Sequence, residues 1–215
     1  MVNVCVPVLK RYDLLRGLLD SLSASHVQPN VVYVIDNGGD TVALNAALHG
    51  CQLLVHVHRP GANLGVAASW NWFINHVDED RVIVNDDITF GPESLGAMVA
   101  APASFVSCTY GFSCFIIRSA CVRDVGLFDE TISPGYAYFE DMDYLRRMKL
   151  AGISDDVVQC GVVHLQSQTP VAYTAEETQA HHRRFSLAHA NYQQKWAVQP
   201  SWEQLRAIGG AGANQ

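Results

Sequence analysis

Apolar and polar positions along the chain follow two periods, and the switches between them mark the elements. Val2 to Val8 reads Val-x-Val-Cys-Val-Pro-Val, a first strand. Leu14, Leu15, Leu18, Leu19 and Leu22 then recur at helical spacing, with Asp13 placed to cap. Val31 to Ile35 predicts a second buried strand, closed by Asp36-Asn37-Gly38-Gly39, a run that must turn. Strand, helix and strand in this span make one βαβ unit of a parallel sheet. Val42 to Leu48 predicts a short helix, Cys51 to His56 a third strand, and His58 to Gly65 a loop. Val66 to His76 resumes a helix with Trp70, Phe73 and Ile74 on one face, and the Trp70, Trp72 and Phe73 cluster reads as core packing. Arg81 to Val84 is a further strand. Pro92 then starts a helix at its first position, where its missing N–H costs nothing.

The second half changes character. Phe105 to Cys108 and Ser113 to Ile117 read as strands separated by Tyr110-Gly111, and Ser119 caps a short helix through Val125. A loop from Thr131 to Tyr138 leads into Phe139-Glu140-Asp141-Met142-Asp143-Tyr144, a helix that Gly152 stops, with Arg146, Arg147 and Lys149 suited to its negative end. Val157 to Leu165 predicts one strand carrying His164 near its end, and Ala175 to Trp196 a polar helix, with a frayed tail from Gly209 to Gln215. The expected fold class is α/β, a single domain with a mostly parallel central sheet flanked by helices.

The strand Val82-Ile83-Val84 runs directly into Asn85-Asp86-Asp87. Open α/β sheets bind ligands beyond the carboxyl ends of their strands, so these carboxylates belong at the mouth of a site, where oxygen ligands suit a hard divalent cation. Asx side chains also make turns with their own backbone, and both readings stand. Asp36-Asn37 has the same duality, as a turn or as a carboxylate and amide facing a nucleobase edge. Glu140 and Asp141 open a helix, where acidic residues are favoured by the dipole alone. His164 reads as a packed strand histidine, and His181-His182-Arg183-Arg184 as a solvated helix face.

The 215 residues are 49% hydrophobic and 16% charged, enough for a substantial core and against disorder. A net charge of −7 argues against non-specific binding to nucleic acid or anionic membranes. No apolar run is long enough to span a bilayer, so a cytoplasmic protein is expected. The six cysteines are dispersed without a C-x-x-C pair, and read as small buried hydrophobes.

Several pieces, in order, resemble the GT-A-fold glycosyltransferases of family 2 and their relatives, a large and mostly inverting bacterial type. Val34 to Gly39 resembles the family's VDNGS turn, and Asn63-Leu64-Gly65-Val66-Ala67-Ala68-Ser69-Trp70-Asn71 its N-x-G loop and helix. Asn85-Asp86-Asp87 resembles the D-x-D signature, with Asn85 where the family commonly has Asp. Val125 to Glu130, Glu140 to Asp143 and Leu150-Ala151-Gly152 resemble GGFDE…ED-x-D…LAG, with Leu127 where a second glycine is common. Val162-Val163-His164 and Tyr192 to Trp196 resemble late family features.

The resemblance implies a GT-A domain over 1–170, with 1–90 as the Rossmann-like half that binds the nucleotide-sugar and 91–170 serving acceptor and catalysis. Residues 171–215 are then a C-terminal helical extension packed on the same domain. It implies that a nucleotide-diphosphate sugar is held by Pro7, Val8, Asp36, Asn37, Asn63, Asn71, Asn85 and Asp86. Manganese or magnesium would be bound by Asp87 and His164, and Asp141 with Glu140 would be catalytic, Asp141 as general base. The acceptor is left open among a glycan, a protein, a lipid-linked glycan, a small metabolite and a modified base. Two other functions share such a fold, a nucleotidyltransferase and a non-catalytic nucleotide-sugar-binding module. Against the first, Pro7 to Arg11 lacks the Gly-rich basic loop that nucleotidyltransferases usually carry.

Overall fold

The structure is a computed structural model that describes residues 2–77, 81–165 and 172–197. Nine strands and seven helices are formed among these residues. The larger sheet has seven strands: β3 (Val55–His58), β2 (Val31–Asp36), β1 (Asn3–Val8), β4 (Arg81–Val84), β7 (Gly111–Ile117), β6 (Phe105–Cys108) and β8 (Asp156–Val158), in that spatial order. β1 pairs in parallel with both β2 and β4, while β7 runs antiparallel to β4 and β6. β5 (Ile88–Phe90) and β9 (Val162–His164) form a separate two-stranded ladder.

Alternation along the central strands builds a core on each face of the sheet. Val4, Val6, Val8, Val82 and Val84 point to the side covered by the leucines of α1 (Tyr12–Ser23) and by α4 (Ser94–Ala100). Cys5, Ile83, Phe115 and Ile117 face the other way, against Trp70 and Phe73 of α3 (Val66–His76) and Tyr144 and Met148 of α6 (Glu140–Leu150). α2 (Thr41–Leu48), α5 (Ser119–Val125) and a long α7 (Ala175–Ala197) complete the set. No helix among the described residues is long and apolar enough to cross a membrane. All six cysteines are free thiols, four of them buried.

The structure departs from the sequence reading in specific places. The third strand begins at Val55, not Cys51, because parallel pairing starts where Val55 meets Val32, and the chain before it turns at Gly50 with φ +71°. Asp13 lies inside the first turn of α1 and accepts from Arg11, which occupies the cap position itself. Pro92 sits two residues ahead of α4, and Ser119 is the first residue of α5, whose cap is Arg118. Trp72 is only half-buried, stacked between His58 at 4.4 Å and His76 at 4.5 Å. The single strand expected over Val157 to Leu165 is two strands in two sheets. Gly161 breaks it where its carbonyl accepts from Gly91, and a side chain on Gly91 would lie 2.9 Å from that oxygen. The tail from Gly209 to Gln215 lies outside the described residues.

Candidate active site

β1 is followed in space by β2 on one side and β4 on the other, so the chain direction of strand addition reverses at the β1–β4 boundary. Such switch points leave a crevice beyond the carboxyl ends of the strands. A cleft of about 280 Å³ opens there. Pro7, Val8 and Leu9 from the end of β1, Asn37 beyond β2, and Asn85, Asp86 and Asp87 beyond β4 line one side. Asn63, Gly65 and Val66 line it from the loop before α3, and Tyr136, Ala137 and Tyr138 from the loop before α6. His164, Tyr173 and His181 complete the wall.

The short ladder explains how His164 reaches Asp87, which lies far away in sequence. Ile88 is in register with His164, and the Asp87 carbonyl accepts from Leu165 N at 3.0 Å. His164 Nε2 lies 3.1 Å from Asp87 Oδ1 without forming a directed hydrogen bond, which leaves that buried oxygen without a hydrogen-bond partner. A carboxylate oxygen and an imidazole nitrogen suit manganese. Among the described residues no group of three His, Cys, Asp or Glu side chains is placed to hold a metal ion. Two protein donors, with substrate phosphates and water filling the rest, are nevertheless a common arrangement for Mg²⁺-type ions. The residues present therefore fit a substrate-assisted site and not a closed protein cage.

Asp86 is buried beside Asp87, and burial first, then the neighbouring charge, raise its carboxyl to about 7, with Arg11 opposing. Asn85 is half-buried and is tied to β7 by its N–H to the Ser113 carbonyl.

Asp36 is buried but does not line the cleft. Its Oδ1 accepts from Tyr12 Oη at 2.5 Å and Gly39 N at 2.9 Å, while Oδ2 has no hydrogen-bond partner and lies 3.7 Å from Arg59 Nε. Asn37 bridges loops, accepting from Leu64 N and donating to Ser69 Oγ. Asn63 accepts from Gly65 N. Gly65 has φ +80°, and a side chain there would lie 2.3 Å from Tyr136 N, so glycine alone lets this loop pack on the turn before α6. Asn71 lies away from the cleft, clamping the Phe128 backbone through both N–H and C=O and donating to Glu130.

Glu140 and Asp141 open α6 immediately after the cleft-lining Tyr136 to Tyr138, but neither lines the cleft. Glu140 is 4% exposed, its Oε2 has no hydrogen-bond partner, and burial raises it to about 7. Asp141 is half-buried and is raised by that burial, while Oδ1 accepts from Met142 N at 2.8 Å.

The aromatic wall went unread in the sequence. Tyr136 Oη and His181 Nδ1 are 2.6 Å apart, and the Arg184 guanidinium lies over the Tyr136 ring at 4.8 Å. His181 is thus half-buried against the turn, whereas His182, Arg183 and Arg184 are exposed as expected, Arg184 while lying over the Tyr136 ring. The only advance sign was three tyrosines, counting Tyr173, near a Gly/Pro-containing loop.

Known proteins share parts of this geometry. Residues 3–104 match the model of glycosyl transferase family 2. No curated protein sequence matches the chain. Among solved structures, a mannosyltransferase from Pyrobaculum calidifontis in complex with GDP-Man and Mn²⁺ is similar, with TM-score 0.60 and 16% identity over 100% of this chain and 76% of that one. S. aureus TarS 1-349 in complex with UDP-GlcNAc gives 0.61 and 14%, covering 97% and 71%. Glucosyl-3-phosphoglycerate synthase from Mycobacterium tuberculosis, with Mn²⁺, UDP and glucosyl-3-phosphoglycerate, gives 0.57 and 12%, covering 94% and 81%. With its cleft at the switch point and its Asn-Asp-Asp triplet beside a histidine, the chain has the GT-A fold of these structures, and its residues 3–104 match glycosyl transferase family 2.

Proposed function

We propose that the protein moves a sugar from a nucleotide-diphosphate donor to an acceptor hydroxyl by direct displacement, inverting the anomeric centre. The observation that carries this reading is the buried, partnerless Asp87 Oδ1 with His164 Nε2 3.1 Å away, at the mouth of the switch-point cleft. Asp87 and His164 would hold manganese or magnesium together with the donor's phosphates. When bound, the cation supplies charge stabilisation for the departing diphosphate. The chain's own residues do the rest. Pro7, Val8, Asn37, Asn63 and Asn85 shape the donor side of the cleft, and Asp86 accepts or donates there according to its proton. The Asp36 Oδ2 oxygen, buried beside the half-exposed Arg59 and without a hydrogen-bond partner, would accept a nucleobase N–H once the Arg59 side chain moves off it.

Attack by the acceptor hydroxyl releases a proton, which needs a base on the side opposite the leaving group. Asp141 is assigned that role, because its carboxylate is half-exposed and stands three residues after the cleft-lining Tyr138. Glu140 is the second candidate on one specific observation: its buried Oε2 lacks a partner.

Thermal unfolding with UDP-, GDP- and dTDP-sugars, each with and without manganese, tests the proposal. A true donor raises the melting temperature by mass action, more so with the ion. Release of nucleoside diphosphate from that donor is expected. Pyrophosphate release from a nucleoside triphosphate would instead mark a nucleotidyltransferase. Binding without any turnover across an acceptor panel would mark a binding module.

A further inference from the structure

Tyr138 and Phe139 have φ of +95° and +69°, and every other positive-φ residue described is a glycine. A Cβ crowds the backbone in this region, so bulky residues occupy it only where the surroundings over-determine them. The pair leads directly into Glu140 and Asp141, with Phe139 at the cap position of α6 and no side-chain cap. Within α6, the bond from Asp143 N to the Phe139 carbonyl, 2.9 Å, follows from the turn and does not force it.

α7 packs on these two residues from outside the turn, whose earlier part is tied by backbone bonds from Val66 N to Tyr136 O and from Tyr136 N to Ser133 O. The Phe139 ring stacks on His189 at 5.1 Å and Tyr192 at 5.6 Å, and tilts against Phe185 at 5.2 Å. Phe185 also meets the Tyr138 ring edge-on at 5.0 Å. α7 buries only Ala188, so these rings do not serve the main core; they grip the turn. The helix is fastened at both ends. Glu177 pairs with Lys10 at 2.5 Å and accepts from Thr174 N, while Lys195 reaches both Asp129 and Asp143 at 2.7 Å.

We propose that Phe185, His189 and Tyr192 are positioning residues: they hold Phe139 in its left-handed conformation and so fix the direction in which Glu140 and Asp141 leave the turn. The catalytic meaning rests on the assignment of that pair as the acid–base site.

Two substitutions at one position separate this from a merely structural role. Phe139→Ala deletes the gripped ring but keeps the Cβ that resists φ +69°. Phe139→Gly deletes the same ring and accepts that φ freely. Hydrogen exchange at the Asp143 amide reads the turn without any substrate. Release of nucleoside diphosphate from UDP-glucose, UDP-N-acetylglucosamine and GDP-mannose reads function. Phe139→Ala is expected to exchange about tenfold faster or more and to lose turnover in proportion, with donor KM little changed, while Phe139→Gly stays close to the parent. Phe185→Ala with Tyr192→Ala should reproduce the alanine result, and adding Phe139→Gly should reverse it. Equal behaviour of alanine and glycine at 139 overturns the proposal, even if the double variant fails to fold. If Asp141→Asn and Glu140→Gln both keep full turnover while the exchange pattern holds, the clamp stands and the catalytic assignment of the pair is what fails.

Discussion

Two acidic pairs, Asp86-Asp87 and Glu140-Asp141, have the same local pattern and are fixed by different means. In each, burial raises the first carboxyl to about 7, and the second is the one assigned to chemistry. The first pair follows a strand bonded on both sides, with β1 and β7 as neighbours of β4, and both its side chains are buried in the cleft wall. The second pair follows two strained residues held from outside by a helix that starts thirty-odd residues later, a distance only tertiary packing can bridge. A strand end in a sheet is positioned by backbone hydrogen bonds that any sequence can make. A helix start after a left-handed turn is positioned by particular side chains. The first pair should therefore respond to substitutions at the pair itself, and the second also to changes far from it.

The largest effect is expected at Asp87. Asp87→Ala removes the carboxylate facing His164 and should cost several kcal/mol of transition-state stabilisation, a rate loss of about 10³-fold. Manganese-dependent stabilisation by a nucleoside diphosphate should vanish with it. Full activity in excess chelator would break the comparison, because the first pair would then hold no ion.

Asp141→Asn comes next. Asparagine keeps the shape and can still accept from Met142 N, but it cannot take a proton. Transfer should fall by about 10²-fold or more with donor binding unchanged. A loss of donor affinity equal to the loss in rate would make the second pair a binding element like the first, and normal transfer would move the base to Glu140. Asp143, locked by Arg147 at 2.8 Å and by Lys195, should respond in stability and not in chemistry.

Glu140 gives the pair a pH signature. Its folded carboxyl titrates near 7 against an ordinary value of 4.5. The folded state therefore holds a proton that the unfolded chain has lost. The stability from this group is fully present below pH 4.5 and falls as pH rises through about 7. The shift corresponds to roughly 3 kcal/mol across that window. Denaturant unfolding from pH 4 to 8 should show the decline, and Glu140→Gln should flatten it. An unchanged slope would assign the decline to Asp86 and Asp141, which are raised by the same cause.

Much of the first pair's surroundings was legible because it is local. The β-branched run into Asn85-Asp86-Asp87 and the Asp36 turn both announce strand ends, and parallel order follows from the βαβ spacing. β5 was not legible: three residues, Ile88-Thr89-Phe90, carry too little pattern, and their partner β9 lies beyond a glycine break. The position of His164 opposite Ile88 followed from that ladder, and so could not be derived from period alone. Asn71 reads like a polar donor contact within a family-like helix, yet its amide is spent on the Phe128 backbone. The aromatic wall depends on where α7 docks, a long-range fact that no local periodicity encodes.

The smallest expected effect belongs to Asp36, and it tests whether a third strand-end carboxylate behaves like the first pair. Oδ1 is committed to Tyr12 and Gly39, and Oδ2 has no hydrogen-bond partner beside Arg59. Asp36→Asn can keep the Oδ1 contacts while replacing Oδ2 with an amide that donates and does not accept. If Oδ2 receives a nucleobase N–H, two donors would then face each other. A hydrogen bond to a charged group contributes about 1.5–3 kcal/mol, so donor Kd should rise about tenfold to a hundredfold by titration calorimetry. The turn should survive, and the melting temperature without ligand should change little. The opposite outcome, a lower melting temperature with donor affinity intact, would make Asp36 a turn residue. Nucleobase recognition would then pass to groups that line the cleft, with Asn37 the nearest.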